Sequence, residues 1–226
     1  MKNKILLLGL IIFGLLLIVW VSFYFLNQDK SDINSNESIT EEVTGDLLEN
    51  QSQSETEVSK NNSPIAPQLL NKLVTDDFEM SIPEGWIKSE PVAGTVAMVV
   101  NNKESINDPA AQKINFKSYI AVSRDALDAF QVKTLADYLQ LTKEELLKAF
   151  PEAVFSNERD VVINNQSARA MEIDLSQQDL AIKVLFLLIK GDGDDVWVVS
   201  FNTAKSAWDG YKEIFQNVAN SFKLKI

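Results

Sequence analysis

Neither histidine nor cysteine occurs anywhere in the chain. Their absence removes Ser-His-Asp and Cys-His catalysis, imidazole proton shuttling near neutral pH, and ordinary zinc, copper and haem sites. It also removes disulfides and any lipid-modified cysteine anchor. Gly-x-x-x-x-Gly-Lys, Gly-x-Gly-x-x-Gly, Gly-x-Ser-x-Gly and Ser-x-x-Lys are missing as well, so most nucleotide-binding and activated-serine chemistries have no motif here. Basic residues number 21 against 32 acidic ones, a net charge of −11, and no basic stripe stands out. Nucleic-acid binding, which draws on concentrated Lys and Arg, is not expected.

What is present begins with Lys2 and Lys4, followed by residues 5–26, a run of 22 without a charged side chain. As a helix it would span about 33 Å against a hydrocarbon core of roughly 30 Å. Trp20 and Tyr24 lie near its C-terminal end, where amphipathic rings prefer the headgroup region. The rival reading is a cleaved secretory signal, which uses a shorter apolar stretch and a small-residue cut site. The exit here, Val19-Trp20-Val21-Ser22-Phe23-Tyr24-Phe25-Leu26, is bulky. Residues 5–26 are therefore expected to be a transmembrane signal anchor in contact with the lipid bilayer. Lys2 and Lys4 place residues 1–4 in the cytoplasm and the rest outside it. The expected location is the cell membrane, single-pass, with an extracytoplasmic C-terminal domain.

Residues 27–66 change character. They hold no aromatic residue and carry nine acidic side chains against Lys30 and Lys60, a charge of −7. Such a composition cannot bury enough apolar surface to offset backbone entropy, so a disordered acidic linker is expected. A flexible coil of this length spans ~35 Å on average, and self-repulsion lengthens it. Asn-x-Ser occurs at Asn36, Asn50, Asn61 and Asn165, which matters only in a host that glycosylates secreted proteins.

Residues 67–226 carry 15 aromatics and a charge of −6, enough for one globular domain with a real core. Phe78, Met80 and Ile82 alternate with polar residues, then Pro83-Glu84-Gly85 turns the chain into Trp86. Further strands are expected at 95–100 and 116–123, with a Pro109-bearing loop over 101–111. A helix opens at Thr134, with Asp137 as a weaker capping partner, and ends at Pro151. Thr142 and Glu145 would permit a restart within it. Strands follow at 153–163, 167–175, 181–190 and 196–202, with hairpins at Asn164-Asn165 and at residues 191–195. Residues 182–189 are apolar except for Lys183, which predicts a strand covered on both faces. Over 204–220, Trp208, Tyr211, Phe215, Val218 and Phe222 recur at helical spacing, with Ser206 as a candidate cap. The order of elements predicts an α+β domain on an antiparallel sheet.

The segment Asp77-Phe78-Glu79-Met80-Ser81-Ile82-Pro83-Glu84-Gly85-Trp86 resembles the first hairpin of the PsbP-like domain family, which has the Mog1/PsbP-like fold. So does the close, a penultimate strand with Trp197 followed by Trp208, Tyr211, Phe215 and Ser221-Phe222. The resemblance covers most of 76–226. It implies an α/β/α sandwich with a central antiparallel sheet and a non-enzymatic, protein-binding or assembly role. Known members are extrinsic subunits of the photosynthetic oxygen-evolving complex and bacterial envelope proteins. The long apolar N-terminus is unlike an Arg- and Ser-rich transit segment, so a bacterial membrane-anchored member is the expectation. The matching positions are turn and core positions, so no functional residue is carried over.

The strongest metal-ligand candidate is Gly191-Asp192-Gly193-Asp194-Asp195. Asp192, Asp194 and Asp195 supply the oxygens calcium prefers, although the spacing is not that of the twelve-residue calcium loop. A solvated hairpin turn accounts for the same residues. No other cofactor and no catalytic residue is expected. Glu172 and Asp174 share a strand face and fit either a paired acid/base site or cross-strand ion pairs. Trp86 with Pro83 and Gly85 fits a ligand groove or a turn-anchored core. The functional expectation is a non-catalytic module for a protein partner in the membrane or envelope. The alternatives are an extracytoplasmic carboxylate hydrolase and a small-molecule or calcium-binding sensor.

Overall fold

The computed structural model describes residues 71–225. The expected cytoplasmic N-terminus (1–4), anchor (5–26) and acidic linker (27–66) lie outside the described residues, as do Asn36, Asn50 and Asn61. Among the described residues no helix is long and apolar enough to cross a membrane.

Seven strands form one antiparallel sheet in the order β3-β4-β5-β9-β8-β7-β6. They are β3 (Ile87–Ser89), β4 (Ala97–Val100), β5 (Tyr119–Ala126), β6 (Val154–Ile163), β7 (Gln166–Gln177), β8 (Leu180–Lys190) and β9 (Asp195–Ala204). A smaller sheet, ordered β1-β2-β10, joins β1 (Asn71–Val74), β2 (Phe78–Ile82) and β10 (Lys223–Leu224). Among the described residues there are three α-helices: α1 (Pro109–Lys113), α2 (Leu135–Ala149) and α3 (Trp208–Ser221).

Successive residues of β8 point to opposite faces of the sheet, and both faces are covered. Ile182, Val184, Phe186 and Leu188 enter one core with Tyr138, Leu139 and Leu146 of α2. Leu185, Leu187 and Ile189 enter a second core with Phe215, Val218 and Ala219 of α3 and with Leu73, Phe78, Met80 and Ile82 of the small sheet. The apolar run of β8 therefore serves two cores, as its composition predicts. The α/β/α sandwich expected from the resemblance is present, with one addition: α3 shares its layer with the three-stranded sheet.

The tight hairpins place pairs of residues in the left-handed region. Asn164 and Asn165 have φ of 47° and 69°, the left-handed pair that a tight two-residue turn requires and that Asn tolerates. Gln178 and Asp179 do the same at 49° and 66°, a turn with no strong sequence signal. Gly85, at φ 81°, lets the chain reverse after Pro83 so that Trp86 is buried, at 5% exposure.

Several expectations need correction. The 101–111 loop leads into α1, because Pro109 occupies a first-turn position where its missing N–H costs nothing. Asp108 caps α1, its Oδ1 accepting from the N–H groups of Ala110 at 2.9 Å and Ala111 at 3.3 Å. The strand expected at 116–123 runs instead from Tyr119 to Ala126. The restart at Thr142 does not occur: α2 is continuous, and Thr142 Oγ1 donates back to the Tyr138 carbonyl at 2.9 Å. Ser206 caps nothing; it lies in a 3₁₀ turn before α3 and donates to Asp108 Oδ2 at 3.0 Å. β1, β3 and β10 are short strands that periodicity did not reveal.

Candidate functional site

Charged and hydroxyl side chains gather in a row across one end of the large sheet, on the face toward α3. In the ladder Lys183 lies opposite Asp174 on β7 and opposite Thr203 on β9. Thr203 Oγ1 is 2.7 Å from Ser118 Oγ. Ser118 in turn donates through its N–H and its hydroxyl to Glu104, at 2.5 and 2.9 Å. Ser118, Thr203, Lys183 and Glu172 are all buried. Trp208, at the start of α3, lies over the row, its ring centre 5.5 Å from Lys183 Nζ.

Lys183 is the centre of this arrangement. Its ammonium is 3.1 Å from Glu172 Oε2 and 2.8 Å from Asp174 Oδ2, and Lys205 approaches Asp174 Oδ1 at 3.0 Å. Burial pulls the Lys183 pKa down, but hydrogen bonds to Asp174 and Glu172 outweigh it and leave the pKa above its ordinary value. Burial likewise pulls Asp174 up, while hydrogen bonds from Lys183 and Lys205 win and leave it below the usual carboxylate value. A lysine held protonated is not a nucleophile, and a carboxylate held ionised is not a general acid. Of the two sequence readings for Glu172 and Asp174, the cross-strand ion pair is the one the geometry supports. The lone lysine in the apolar run of β8 was the signal for it.

At the β8–β9 turn, Asp192 and Asp194 are exposed and Asp195 is half-buried. Asp195 accepts from Arg124 at 2.5 Å, on the far side of the turn chemistry. The Lys190 ammonium donates to the Gly191 carbonyl at 3.1 Å and to the Gly193 carbonyl. The backbone closes through Gly191 N to Asp195 O at 2.9 Å and Asp195 N to Asp192 O at 3.0 Å. A cation already covers the turn's carbonyls, and it belongs to the protein. Among the described residues no three acidic side chains gather as a metal-holding group.

Trp86 contributes one wall of an open hollow of about 500 Å³, with Pro83, Glu84, Asn101, Tyr211 and Ile214. Its ring meets Tyr211 and Phe215 edge-on at 5.9 and 6.1 Å. Asn101 Nδ2 donates to Tyr211 Oη at 2.9 Å, and burial followed by the nearby Glu104 carboxylate raises the Tyr211 pKa. Trp86 is thus mainly a core residue that closes the turn against α3.

The motif at the chain's close acts in the same layer. Ser221 Oγ accepts from Ser81 N–H at 2.9 Å and donates to the Val218 carbonyl at 2.7 Å. Phe222 stacks on Phe78 with ring centres 5.0 Å apart, and Phe78 meets Trp197 edge-on at 5.4 Å. The residues that carried the resemblance are those that pin the small sheet to α3.

No protein-family profile matches this sequence, and no curated protein matches it. The cyanobacterial PsbP of Synechocystis sp. PCC 6803 superposes with a TM-score of 0.50 and 17% identity, covering 74% of this chain and 98% of that one. The fold is PsbP-like. The PsbP-like domain also matches LpqN of Mycobacterium tuberculosis, a protein involved in cell envelope biogenesis, at a TM-score of 0.49 and 14% identity over 74% of this chain and 88% of that one. The Ran-binding protein Mog1p of Saccharomyces cerevisiae matches at 0.46 and 16%, over 65% and 89%. At these identities the shared property is the fold.

Proposed function

We propose that the chain is a single-pass membrane protein whose PsbP-like domain is held outside the cytoplasm as a non-catalytic binding or assembly module for a membrane or envelope complex. The observation that carries this reading is the Glu172–Lys183–Asp174–Lys205 network. These four ionisable groups neutralise one another and tie β7 and β8 to the 3₁₀ turn before α3. They are used for architecture, and the chain has no histidine or cysteine to replace them in catalysis. The apolar run at 5–26 and the acidic stretch at 27–66 supply the anchor and the tether. Confinement near a membrane complex lets a weakly binding domain act at high effective concentration.

Crosslinking of the full chain in its native membranes, followed by identification of adducts, tests this. Recurrent adducts with another membrane or envelope protein are expected. Recovery of the chain without adducts at every crosslinker concentration would defeat the proposal.

A further inference from the structure

We infer that the outer edge of β6 is a docking strand for an extended segment of another protein, one in which apolar side chains alternate and acidic ones are interspersed. This deepens the binding-module reading and rests on it.

Among the described residues β6 is the outermost strand of the large sheet, ten residues long, whereas β3 at the opposite edge has three. A long unpaired edge offers a row of backbone donors and acceptors to any extended chain, and proteins ordinarily blunt such edges. β6 is blunted over residues 154–160. A bulge breaks its register between Ser156 and Arg159, Asn157 takes a φ of 54°, and Glu158-Arg159-Asp160 adds charge. Its last three residues form a regular ladder, Val161 opposite Ala168, Val162 opposite Ser167 and Ile163 opposite Gln166. These three residues include no proline, glycine or charge, and Val162 is 71% exposed.

A hollow adjoins these three residues on each face of the sheet. One, of about 290 Å³, is lined by Val161, Ile163, Leu185 and Leu187 with Ala219 and Asn220 of α3. The other, of about 570 Å³, is lined by Val162, Ala168, Leu127 and Leu135. A strand added along β6 would direct alternate side chains into the two hollows, the arrangement that strand addition exploits for specificity.

Charge selects the occupant. Arg169 is held by Glu158 at 3.1 Å and Asp160 at 3.0 Å, and Lys190 by the turn carbonyls. Among the described residues this leaves Lys133 at the larger hollow and Arg159 at the smaller as cations outside any ion pair, although residues 67–226 together carry −6. A second copy paired across a two-fold axis would bring these cationic rims together. The chain's own 27–66 segment is acidic but lacks alternating apolar residues. A partner segment with both features satisfies both hollows and the rim.

The test uses the full chain in native membranes with a photoreactive amino acid at position 162, or at position 87 on the opposite edge. Adducts are expected from 162 alone, mapping by mass spectrometry to an acidic, apolar-alternating segment of another protein. Lys133→Glu should lower their yield by about fivefold, as loss of a rim ion pair does. Adducts to residues 27–70 of the same chain, to a second copy, or to a helical or basic segment would overturn the inference. So would equal yield from position 87. Partner adducts from 87 but none from 162 would refute the edge while sparing the binding-module reading; absence of adducts from both, with none in bulk crosslinking, would remove both.

Discussion

Replacing Lys183 with methionine keeps an unbranched apolar stem of similar length and deletes only the ammonium. Glu172, 4% exposed, then loses the cation 3.1 Å from its carboxylate. Asp174 retains Lys205 at 3.0 Å, and the Trp208 ring loses the charge 5.5 Å from its centre. Removing one partner of a buried ion pair typically costs about 3–5 kcal/mol, because the remaining charge stays desolvated without compensation. For a domain of this size that corresponds to a fall in Tm of ~6–20 °C. Adding Glu172→Gln to Lys183→Met removes the stranded charge and should recover at least about half of the loss. Urea unfolding of the full chain in detergent, followed by tryptophan fluorescence, reads the difference as a change in midpoint at constant slope. A Lys183→Met variant within about 0.5 kcal/mol of the parent would refute the reasoning. It would mean that the ammonium is effectively solvated and the row is not a buried network.

The same network contributes to stability at both acid and alkaline pH. Asp174 has a depressed pKa, so its contribution is present above the ordinary carboxylate range and is lost as pH falls through the folded value. Lys183 has a raised pKa, so its contribution is present below its ordinary value and is lost as pH rises through the folded one. With no histidine in the chain, thermal stability should form a plateau over about pH 6–9, and a scan showing a transition there would contradict this. Phe222→Ala, at a site 1% exposed and stacked on Phe78, should cost about 3–5 kcal/mol in chemical denaturation; a cost below about 1 kcal/mol would show that the small sheet does not depend on the stack. Calorimetric titration with calcium should give no saturable heat at millimolar concentrations, since Lys190 already covers the Gly191 and Gly193 carbonyls. Saturable binding abolished by Asp194→Asn would instead establish a site at that turn.

The local signals in this chain were legible because each depends on neighbours in sequence. Thr134 does cap α2, accepting from Asp137 N–H at 3.1 Å; the Asn164-Asn165 turn and the helical stripe from Trp208 to Phe222 are also in place. The features that escaped were of two kinds. β3 and β10 have three and two residues, too few to show a period. The Gln178-Asp179 reversal uses residues without a turn signature, and the surrounding ladder rather than local preference holds their left-handed backbone.

The candidate site divides along the same line. From sequence, Glu172 and Asp174 share a face and Lys183 interrupts an apolar strand, because alternation alone places side chains on faces. Register across β7, β8 and β9 decided that these residues meet, and that Thr203 and Ser118 continue the row. Asp192, Asp194 and Asp195 show the converse. Adjacency in sequence offered three carboxylates, but the turn directs Asp195 to Arg124 and places Lys190 against its carbonyls. Sequence by itself determined the faces, the Asn164-Asn165 turn, the two-sided core and the missing chemistries, since periodicity, backbone preference and composition are properties of a chain before it folds. Tertiary structure alone decided which charges neutralise one another and which described strand lies outermost in the large sheet, because those depend on partners brought together from distant positions.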